Sequence, residues 1–461
     1  MDRALTQTKA VCAPNRPLSI AIVGSGISGM SAAWLLSQRH NVTLYEQDRR
    51  LGGHTNTIEA TIDGRRHPVD TGFIVYNEQN YPNLTALFRH LGVATQPTDM
   101  SFGVSLDNGR LEYASMGLRG LFAQYRNAIR PRFWMMIRDL IRFYREAPRS
   151  VAASGSISLG NYLERHGYGR AFRDDHLLPM AAAIWSAPAR ALLDYPAEAF
   201  IRFCDNHGLL ELHERPQWRT VVGGSKSYVA QLTAAYADRV RLNSGVQNIA
   251  RTEGGVLITD VSGKRETFDH VVIAAHADQA LTMLADPTPN ERELLSAFRY
   301  ERNLAVLHTD DAFMPQRRNA WACWNYIGLR DTNSGEKRCV TYWMNRLQNI
   351  DSSRPIFVTL NPAIFPRAET IVHTENYHHP IFDQATNAAQ RRLWSLQGAN
   401  RTWFCGAYFG AGFHEDGLQA GLAVAECLGG VRRPWSVANE SARIVVDESL
   451  RIAGSGVGRA A

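Results

Sequence analysis

The chain has 461 residues, of which 45% are hydrophobic and 20% charged, and its mean hydropathy is −0.26. Its formal net charge of +6 and isoelectric point near 9.0 are mild for a protein that binds nucleic acid. The composition excludes disordered, collagen-like and disulfide-scaffold proteins, and we expect two or three subdomains because single cores stop growing near about 250–300 residues.

The cysteines and the N-terminus indicate the compartment. The six cysteines show no C-x-x-C pair and no metal-ligand spacing, which predicts reduced thiols in a cytoplasmic protein and no metal site. Residues 1–16 carry charges but no apolar core of a secretory signal, so we expect them to form an N-terminal extension.

A glycine motif stands between the first predicted strand and the first predicted helix. The strand covers Leu18–Val23, the sequence G-S-G-I-S-G follows at residues 24–29, and the helix covers Met30–Ser37. This order is that of a dinucleotide-binding fingerprint, in which the glycines allow a tight turn, close approach of a pyrophosphate and close packing of helix on strand. A second strand, Asn41–Tyr45, ends at Glu46, where an acidic side chain accepts hydrogen bonds from a ribose.

Further glycine motifs follow along the chain. R-L-G-G-H-T occupies residues 50–55, D-T-G occupies 70–72, and V-V-G-G-S occupies 221–225. Residues 403–421 contain a predicted strand, a glycine-rich turn and the start of a helix. Together these motifs resemble the FAD-binding pattern of the flavin amine oxidase and phytoene desaturase superfamily.

The resemblance implies an α/β fold with a Rossmann-like FAD-binding domain of the glutathione-reductase type, built like that of the amine oxidases, and a discontinuous α+β substrate domain. Further strands are predicted over Phe73–Tyr76, Val240–Val246 and Phe268–Ala275. The predicted boundaries are an N-terminal extension at 1–16, the FAD-binding domain at 17–76, 215–285 and 398–432, the substrate domain at 77–214 and 286–397, and a C-terminal tail at 433–461 that is loosely packed from about Ser436.

The resemblance also implies which residues contact FAD. They lie in the glycine motifs, at the ends of strands and at the start of the last helix, whose positive end stabilises a reduced flavin. The predicted contacts are Gly24, Ser25, Gly26, Ile27, Ser28, Gly29, Glu46, Gln47, Arg50, Leu51, Gly52, Gly53, His54, Thr55, Asp70, Thr71, Gly72, Phe73, Gly223, Gly224, Val246, Ala274, Gly406, Asp416, Gly417 and Leu418.

Within the superfamily, the chain most resembles predicted NAD/FAD-binding oxidoreductases that accompany enzymes modifying cyclopropane, methyl-branched and furan fatty acids. The runs that carry this resemblance lie at 113–115, 183–186, 206–210, 215–219, 324–326, 341–345, 347–348 and 379–383. The resemblance implies an FAD-dependent oxidoreductase that oxidises or desaturates a fatty acyl chain of a lipid by hydride transfer to flavin N5. It also implies a lipid-modifying methyltransferase as a partner.

Segment 117–149 independently indicates contact with lipid. It contains eight Arg and two acids, for a net charge of +6, interleaved with aromatic residues. Apolar residues from Phe133 to Tyr144 recur at helical spacing, with four of the arginines on another face. The pattern predicts either an amphipathic helix on the inner face of the membrane or a surface helix packed on the core. No nucleic-acid recognition module accompanies it.

Candidate catalytic groups come from the substrate segments and the flavin-facing turn. Histidines are candidates for a general base or proton relay because imidazole titrates near neutral pH, and a structural role remains open for each of them. Three residues, Asn325, Tyr342 and Asn345, lie in Trp-rich strands that resemble a pocket floor, and ordinary strand packing remains open for them. The candidate catalytic residues are His207, His378, His379, His414 and Tyr342.

Three alternative functions remain open. Amine oxidases of this superfamily resemble one another in a lysine near flavin N5, yet residues 54–225 contain no lysine and the second substrate segment contains only Lys337, in a predicted exposed turn. A redox-neutral lipid isomerase and a non-catalytic flavoprotein partner of a lipid-modifying enzyme are the other two. A nicotinamide dehydrogenase is not predicted, because no second unit of strand, glycine motif and helix occurs.

Overall fold

The computed structural model describes residues 16–151, 157–185, 189–206, 208–211, 216–331, 335–429 and 431–447. The strands, in chain order, are β1 (Ser19–Val23), β2 (Asn41–Tyr45), β3 (Thr57–Ile62), β4 (Arg65–Asp70), β5 (Tyr76–Asn77), β6 (Thr95–Thr98), β7 (Phe102–Leu106), β8 (Leu111–Ala114), β9 (Trp218–Val221), β10 (Val240–Arg241), β11 (Val246–Thr252), β12 (Gly255–Asp260), β13 (Arg265–Phe268), β14 (His270–Ile273), β15 (Arg299–His308), β16 (Trp324–Asp331), β17 (Gly335–Trp343), β18 (Phe357–Leu360), β19 (Ile371–Ile381) and β20 (Thr402–Phe404).

The helices, in chain order, are α1 (Ile27–Leu36), α2 (Pro82–Leu91), α3 (Gly117–Leu121), α4 (Pro131–Ser150), α5 (Leu159–Arg165), α6 (Arg170–Phe172), α7 (Leu178–Trp185), α8 (Ala189–Asp194), α9 (Ala197–Asn206), α10 (Lys226–Thr233), α11 (Ala277–Met283), α12 (Pro289–Leu295), α13 (Met344–Leu347), α14 (Gln384–Gln390) and α15 (His414–Gly429). A π-helical turn at Arg173–Leu177 joins α6 to α7. Among the helices of the described residues, none combines the length and the apolar character that crossing a membrane requires.

A parallel sheet with the order β10-β2-β1-β14-β20 forms the centre of one half of the molecule. Val23 at the end of β1 pairs with Tyr45 of β2 and Ile273 of β14. The residues of β1 after Ser19 are buried, as expected for a parallel strand that is covered on both faces. The carboxyl ends of these strands meet at one edge, which is where open α/β sheets bind ligands.

Helices α1 and α15 pack closely against each other beside this sheet. Every residue of α1 is buried. A Cβ atom on Gly421 of α15 would lie 2.2 Å from the carbonyl oxygen of Ser28, and one on Gly29 would lie 1.9 Å from the carbonyl oxygen of Gly24. Glycine is therefore required where the backbones of two elements meet at these points.

A seven-stranded sheet with the order β19-β15-β18-β17-β16-β7-β8 forms the other half. Its neighbouring strands are antiparallel, except that β7 and β16 run parallel. Helices α4 to α9 share a hydrophobic core with this sheet, and that core is distinct from the one around the parallel sheet. Two large cores agree with the limit on the size of a single core.

Two predicted strands have other bounds in the structure. Residues 240–246 do not form one strand, because Asn243 adopts a left-handed φ of 52° between β10 and β11. The apolar run at 73–76 contributes only Tyr76 to a strand. Its other residues form part of a cavity wall.

The described part of the C-terminal tail is packed, contrary to the prediction of loose packing from about Ser436. Arg443 forms an ion pair with Asp416 at 2.7 Å. Ile444 is buried in the core of the parallel sheet. An arginine that neutralises a buried carboxylate, together with a buried isoleucine, holds this segment in place.

Candidate active site

A cavity of about 1030 Å³ lies where the parallel sheet faces the seven-stranded sheet. Its wall contains the residues that follow four of the parallel strands at their carboxyl ends, namely Gly24, Glu46, Ala274 and Gly406. The remaining wall residues come from both halves of the molecule. Both the volume and the position are those of a ligand site on an open α/β sheet.

The glycine motif after β1 leaves room for a phosphate group. Gly26 is the N-cap of α1 and has no side chain to cap the helix, and a Cβ atom placed on it would meet nothing within 4 Å. Gly53 faces it from the second glycine motif, since a Cβ on Gly53 would lie 3.2 Å from the Cα of Gly26. The free N–H groups and positive end of α1 are suited to an anion such as a pyrophosphate.

Glu46 is held at the end of β2 by backbone groups of its neighbours. Its Oε2 accepts hydrogen bonds from the amide and the hydroxyl of Ser25, at 2.8 and 2.5 Å, and its Oε1 accepts one from the amide of Asp48 at 2.9 Å. The side chain also lines the cavity. The carboxylate therefore has a fixed position from which it can accept a ribose hydroxyl.

Most predicted FAD contacts lie on the cavity wall. The predicted contacts on the wall are Gly24, Ser25, Gly26, Ile27, Ser28, Glu46, Gln47, Arg50, Gly52, Gly53, His54, Thr71, Gly72, Phe73, Val246, Ala274 and Gly406. The predicted contacts that lie outside the wall are Gly29, Leu51, Thr55, Asp70, Gly223, Gly224, Asp416, Gly417 and Leu418.

Two of the residues outside the wall, Asp70 and Asp416, support the structure around it. Asp70 is fully buried and accepts hydrogen bonds from the amide of Ser225 and from Nε2 of Gln348, both at 2.9 Å. Burial raises the pKa of the Asp70 carboxyl to about 6. Asp416 caps the start of α15 by accepting a hydrogen bond from the amide of Phe413 at 2.7 Å.

An unpaired buried nitrogen on the wall also fits a bound cofactor. Nε2 of His54 has no hydrogen-bond partner among the described residues. A buried polar atom without a partner is costly, so a ligand group in the cavity would satisfy it. With the phosphate-sized space at Gly26 and the fixed carboxylate of Glu46, the donors and acceptors of this wall fit FAD.

Five histidines line the cavity, and three of them were predicted as catalytic candidates. The predicted ones are His378, His379 and His414, and the other two are His54 and His276. The remaining histidine candidate, His207, lies outside the described residues. The sequence could have predicted His276, because it directly follows the predicted strand 268–275. Open α/β sheets bind ligands at the carboxyl ends of their strands, which is also the reason that Glu46 was predicted.

Burial lowers the pKa of four of these imidazoles, which belong to His54, His276, His379 and His414. It lowers the pKa of His276 and of His379 to about 4 and that of His414 to about 3. The pKa of His54 is also far below its usual value, because of burial and the nearby imidazoles. These histidines are therefore uncharged at neutral pH and able to accept a proton.

His414 belongs to a hydrogen-bonded chain. Its ring stacks on Phe73 with centroids 3.9 Å apart, and its Nε2 lies 2.6 Å from the hydroxyl of Tyr228. That hydroxyl lies 2.5 Å from Oγ1 of Thr55. Burial raises the pKa of Tyr228, so the phenol keeps its proton. Both the position and the tautomer of His414 depend on this chain.

His379 is oriented by a pair of asparagines. The side-chain amide nitrogen of Asn303 lies 3.0 Å from Nδ1 of His379, and its carbonyl oxygen accepts a hydrogen bond from Asn361 at 2.6 Å. Because Asn303 donates to Nδ1, the proton of the neutral ring is on Nε2.

Apolar side chains from α7, α9, β9, the strands β16, β17 and β18, and the connecting segments line one part of the cavity. Phe203 stacks on Phe413 at 4.8 Å, and Trp324 meets Tyr342 edge to face at 5.4 Å. We call this part of the wall the apolar wall. Its residues are Met100, Ile184, Phe203, Leu209, Trp218, Trp324, Tyr342, Leu360 and Phe413.

Charged groups lie elsewhere in the cavity. No lysine lines the cavity among the described residues. Lys337 lies in β17 opposite Leu329, not in the predicted exposed turn. Four carboxylates line the cavity outside the apolar wall. Glu46 and Asp48 follow β2, and Asp278 lies in the first turn of α11. The fourth, Glu375, contacts Arg50 and Asn56.

Of the predicted pocket-floor residues, only Tyr342 reaches the cavity. Burial raises its pKa, so it is a neutral phenol. Asn325 is fully buried. Its Oδ1 accepts a hydrogen bond from the backbone amide of Ala322, and its Nδ2 donates one to the carbonyl oxygen of the same residue. Asn345 fixes the backbone at Arg354 and Ile356. Both asparagines therefore support the sheet and its connections. Within the described residues no group of His, Cys, Asp and Glu is arranged to hold a metal ion.

Comparisons with known proteins agree with this geometry. The family model described as flavin containing amine oxidoreductase matches residues 27–321. A protein of Mycobacterium tuberculosis assigned as a flavin-containing monoamine oxidase is 25% identical over 297 residues, which are 63% of this chain and 64% of the relative. The match thus spans less than two thirds of the relative's length.

Solved structures show the same fold at low identity. A putrescine oxidase variant is 16% identical with a TM-score of 0.62, over 90% of this chain and 99% of that one. A fatty acid isomerase from P. acnes that produces CLA is 16% identical with a TM-score of 0.60, over 89% of this chain and 97% of that one. These likenesses confirm the predicted fold class.

Proposed function

We propose, because this chain belongs to the flavin-containing amine oxidoreductase family, that it is an FAD-dependent oxidoreductase acting on the acyl chain of a lipid. Membership of the family confirms the flavin cofactor that the glycine motifs predicted. The observation that carries the choice of substrate is the apolar wall, because nine apolar or aromatic side chains line this one cavity.

The charge of an amine argues against it as the substrate. A primary amine is protonated at neutral pH, and burying a charge without a partner costs several kcal/mol. The apolar wall offers such a cation no carboxylate, whereas each methylene group of an acyl chain gains about 0.8 kcal/mol on burial. The aromatic rings of Trp324 and Tyr342 meet edge to face and are packed against each other, which favours a role in enclosing an apolar chain.

The chain's own residues would hold FAD at the opposite side of the cavity. The glycine motif and the N-terminus of α1 receive the pyrophosphate, and Glu46 accepts the ribose hydroxyl. When bound, FAD supplies the hydride acceptor for oxidation of a C–H bond. The apolar wall excludes water and orients the acyl chain.

Desaturation of an acyl chain also releases a proton. The alkene forms when one carbon gives up a hydride and its neighbour gives up a proton, so two electrons leave with the hydride and none with the proton. The uncharged histidines of the wall are able to take that proton, and His414 is the one that directly follows a residue of the apolar wall, Phe413.

Anaerobic absorbance spectroscopy of the FAD-loaded protein tests this proposal. We expect the oxidised-flavin band to bleach with vesicles that contain unsaturated or methyl-branched acyl chains and to stay unchanged with polyamines. Leu360→Trp should fill the apolar wall and slow the bleaching, whereas the matched variant Leu242→Trp, at an exposed leucine, should not.

Other results would select another function. Bleaching by amines alone would replace the proposal with amine oxidation, the activity assigned to the M. tuberculosis relative. Conversion of a lipid double bond without net bleaching would select a redox-neutral isomerase, in keeping with the activity of the P. acnes structure. No change with any lipid or amine would favour a flavoprotein that supports a lipid-modifying partner.

A further inference from the structure

Five of the exposed large apolar side chains lie in one short segment of the chain. Leu118, Tyr125 and Ile129 are 74%, 84% and 83% exposed, and Trp134 and Met135 are about half exposed. These five residues lie within eighteen positions of the chain, and we call them the 118–135 patch. Large apolar groups that protrude together are unusual on a monomer surface and mark a contact with something else.

The patch is an ordered part of the fold. Nε1 of Trp134 donates to the carbonyl oxygen of Ala128 at 2.8 Å, which ties the loop to the first turn of α4. Asn127 is buried and donates to the carbonyl oxygen of Glu112 in β8 at 2.9 Å. The loop between α3 and α4 is thus fixed from both sides, and it holds Tyr125 and Ile129 outward.

The apolar stripe predicted on α4 does not form this surface. Phe133, Met136, Phe143 and Tyr144 are buried in the core shared with the seven-stranded sheet. Of the two interpretations left open by the sequence, the packed surface helix therefore describes α4 itself. The exposed apolar groups lie instead on α3, on the loop before α4 and at the first turn of α4.

Positive charge surrounds the patch. Arg119 and Arg126 are exposed and form no ion pair with any described residue. Arg138, Arg145 and Arg149 add exposed positive charge along α4, although Arg138 also contacts Asp139. Of the two acids in segment 117–149, Asp139 is buried. The exposed surface of this segment is accordingly strongly basic.

We propose that the 118–135 patch docks this protein on an anionic phospholipid bilayer. Leu118, Tyr125 and Ile129 enter the headgroup layer, and Arg119 and Arg126 meet lipid phosphates. No nucleic-acid recognition module accompanies the patch among the described residues, and side chains that are more than 70% exposed suit a fluid surface better than a preformed protein pocket. The proposal does not depend on the substrate proposed above.

The position of the patch relative to the cavity agrees with such docking. Helix α4 packs against α9, and α9 carries Phe203 of the apolar wall. The helix whose first turn carries Trp134 and Met135 of the patch therefore contacts a helix that lines the cavity.

Vesicle flotation of the FAD-loaded protein tests the proposal. We expect the protein to float with phosphatidylcholine vesicles that contain phosphatidylglycerol, and to float less with phosphatidylcholine alone or at high salt. The variant Leu118→Ser/Tyr125→Ser/Ile129→Ser should lower the partition coefficient at least about tenfold. Arg119→Gln/Arg126→Gln should lower it roughly fivefold per charge.

Matched variants at other surfaces serve as controls. Ile364→Ser/Phe365→Ser removes two exposed apolar groups elsewhere, and Arg65→Gln/Arg66→Gln removes two exposed charges, and both should float like the parent protein. Unchanged flavin absorbance and unfolding temperature would show that each variant is folded.

Three results would overturn the proposal. One is that the parent protein does not float with anionic vesicles. Another is that the patch variants and their controls lose the same amount of binding. The third is that the parent protein is an oligomer in solution and the apolar patch variant is a monomer that floats as well as the parent, because the patch would then bind a second copy of this chain.

Discussion

At the scale of the single residue, Glu46 joins the local structure to the cofactor site. Its carboxylate orders the glycine turn by accepting from Ser25 and Asp48, and the same group lines the cavity. A substitution here therefore affects the loop and the ligand together.

We predict that Glu46→Ala weakens FAD binding by roughly tenfold to a hundredfold, since it removes a ribose acceptor and leaves two backbone donors without their partner. Titration of the flavin-free protein with FAD, followed by flavin fluorescence, measures the dissociation constant. Glu59→Gln, which breaks an exposed ion pair with Lys226, is the control and should bind FAD normally. An unchanged dissociation constant in Glu46→Ala would contradict the assignment.

His414 is the second residue on which the proposed chemistry depends. We predict that His414→Gln keeps FAD but slows lipid-dependent flavin bleaching by roughly a hundredfold or more, because the base is lost. Tyr228→Phe should slow it less, since it removes only the group that orients the imidazole. Stopped-flow absorbance under anaerobic conditions measures both rates, and equal rates in His414→Gln and the parent would exclude His414 as the base.

At the scale of the element, the crossing of α1 and α15 positions both ends of the cofactor site. The start of α1 lies at the phosphate end of the cavity, and the start of α15 carries His414 on its wall. The two helices touch through glycines, so their separation is fixed by backbone contact.

Gly421→Ala should therefore be among the more damaging small substitutions in the chain. The added Cβ would meet a backbone oxygen that cannot move without shifting α1, and we expect a loss of about 1–3 kcal/mol in unfolding free energy. Denaturant unfolding with flavin absorbance as the signal measures it. Gly254→Ala, where the nearest atom lies at 4.0 Å, should leave the midpoint unchanged.

The elements predicted well from sequence are those specified by local signals. The glycine motif and its flanking apolar runs predicted β1, β2 and the first helix, because turn chemistry and strand patterning act over a few residues. The division of 240–246 depends on the left-handed backbone of Asn243, and the parallel pairing of β7 with β16 joins distant parts of the chain. Neither the division of 240–246 nor the pairing of β7 with β16 produces a pattern in the nearby sequence. The same is true of the contact between His54 and His379.

At the scale of the whole molecule, buried histidines occur in both halves and affect how stability depends on pH. Beyond those of the cavity, His308 in the seven-stranded sheet has a pKa lowered by burial to about 4. Its Nδ1 accepts from the amide of Asp310, and its Nε2 bonds Thr359. The neutral ring is thus satisfied on both sides, and a proton on Nδ1 would break one of these bonds.

We predict that the unfolding free energy falls as the pH is lowered from 6.5 toward 4. In this window the unfolded chain binds protons on these histidines and the folded chain does not, so their contribution to stability is greatest above the unfolded pKa and is lost on acidification. The raised pKa of Asp70 acts in the opposite direction, but the buried histidines outnumber it. His308→Gln should flatten the fall by roughly 2–3 kcal/mol at the acid end. Thermal unfolding at a series of pH values across this range measures the unfolding free energy. His90→Gln, at an exposed histidine, is the control. If stability depended on pH in the same way in His308→Gln and in the parent protein, the role of His308 would be refuted.

The pairing of Asp416 with Arg443 also has a consequence for how the protein is made. The central parallel sheet is completed by β20, and the cofactor site by the turn and helix that follow it, so both depend on a segment that is synthesised after all the other described strands. In a nascent chain that ends before β20, the edge of β14 is unpaired. Such a chain also lacks the turn that follows β20 at the carboxyl edge of the sheet. Loading of FAD is therefore expected only after β20 and α15 have been synthesised. A chain that terminates before β20 would expose a strand edge to chaperones and proteases.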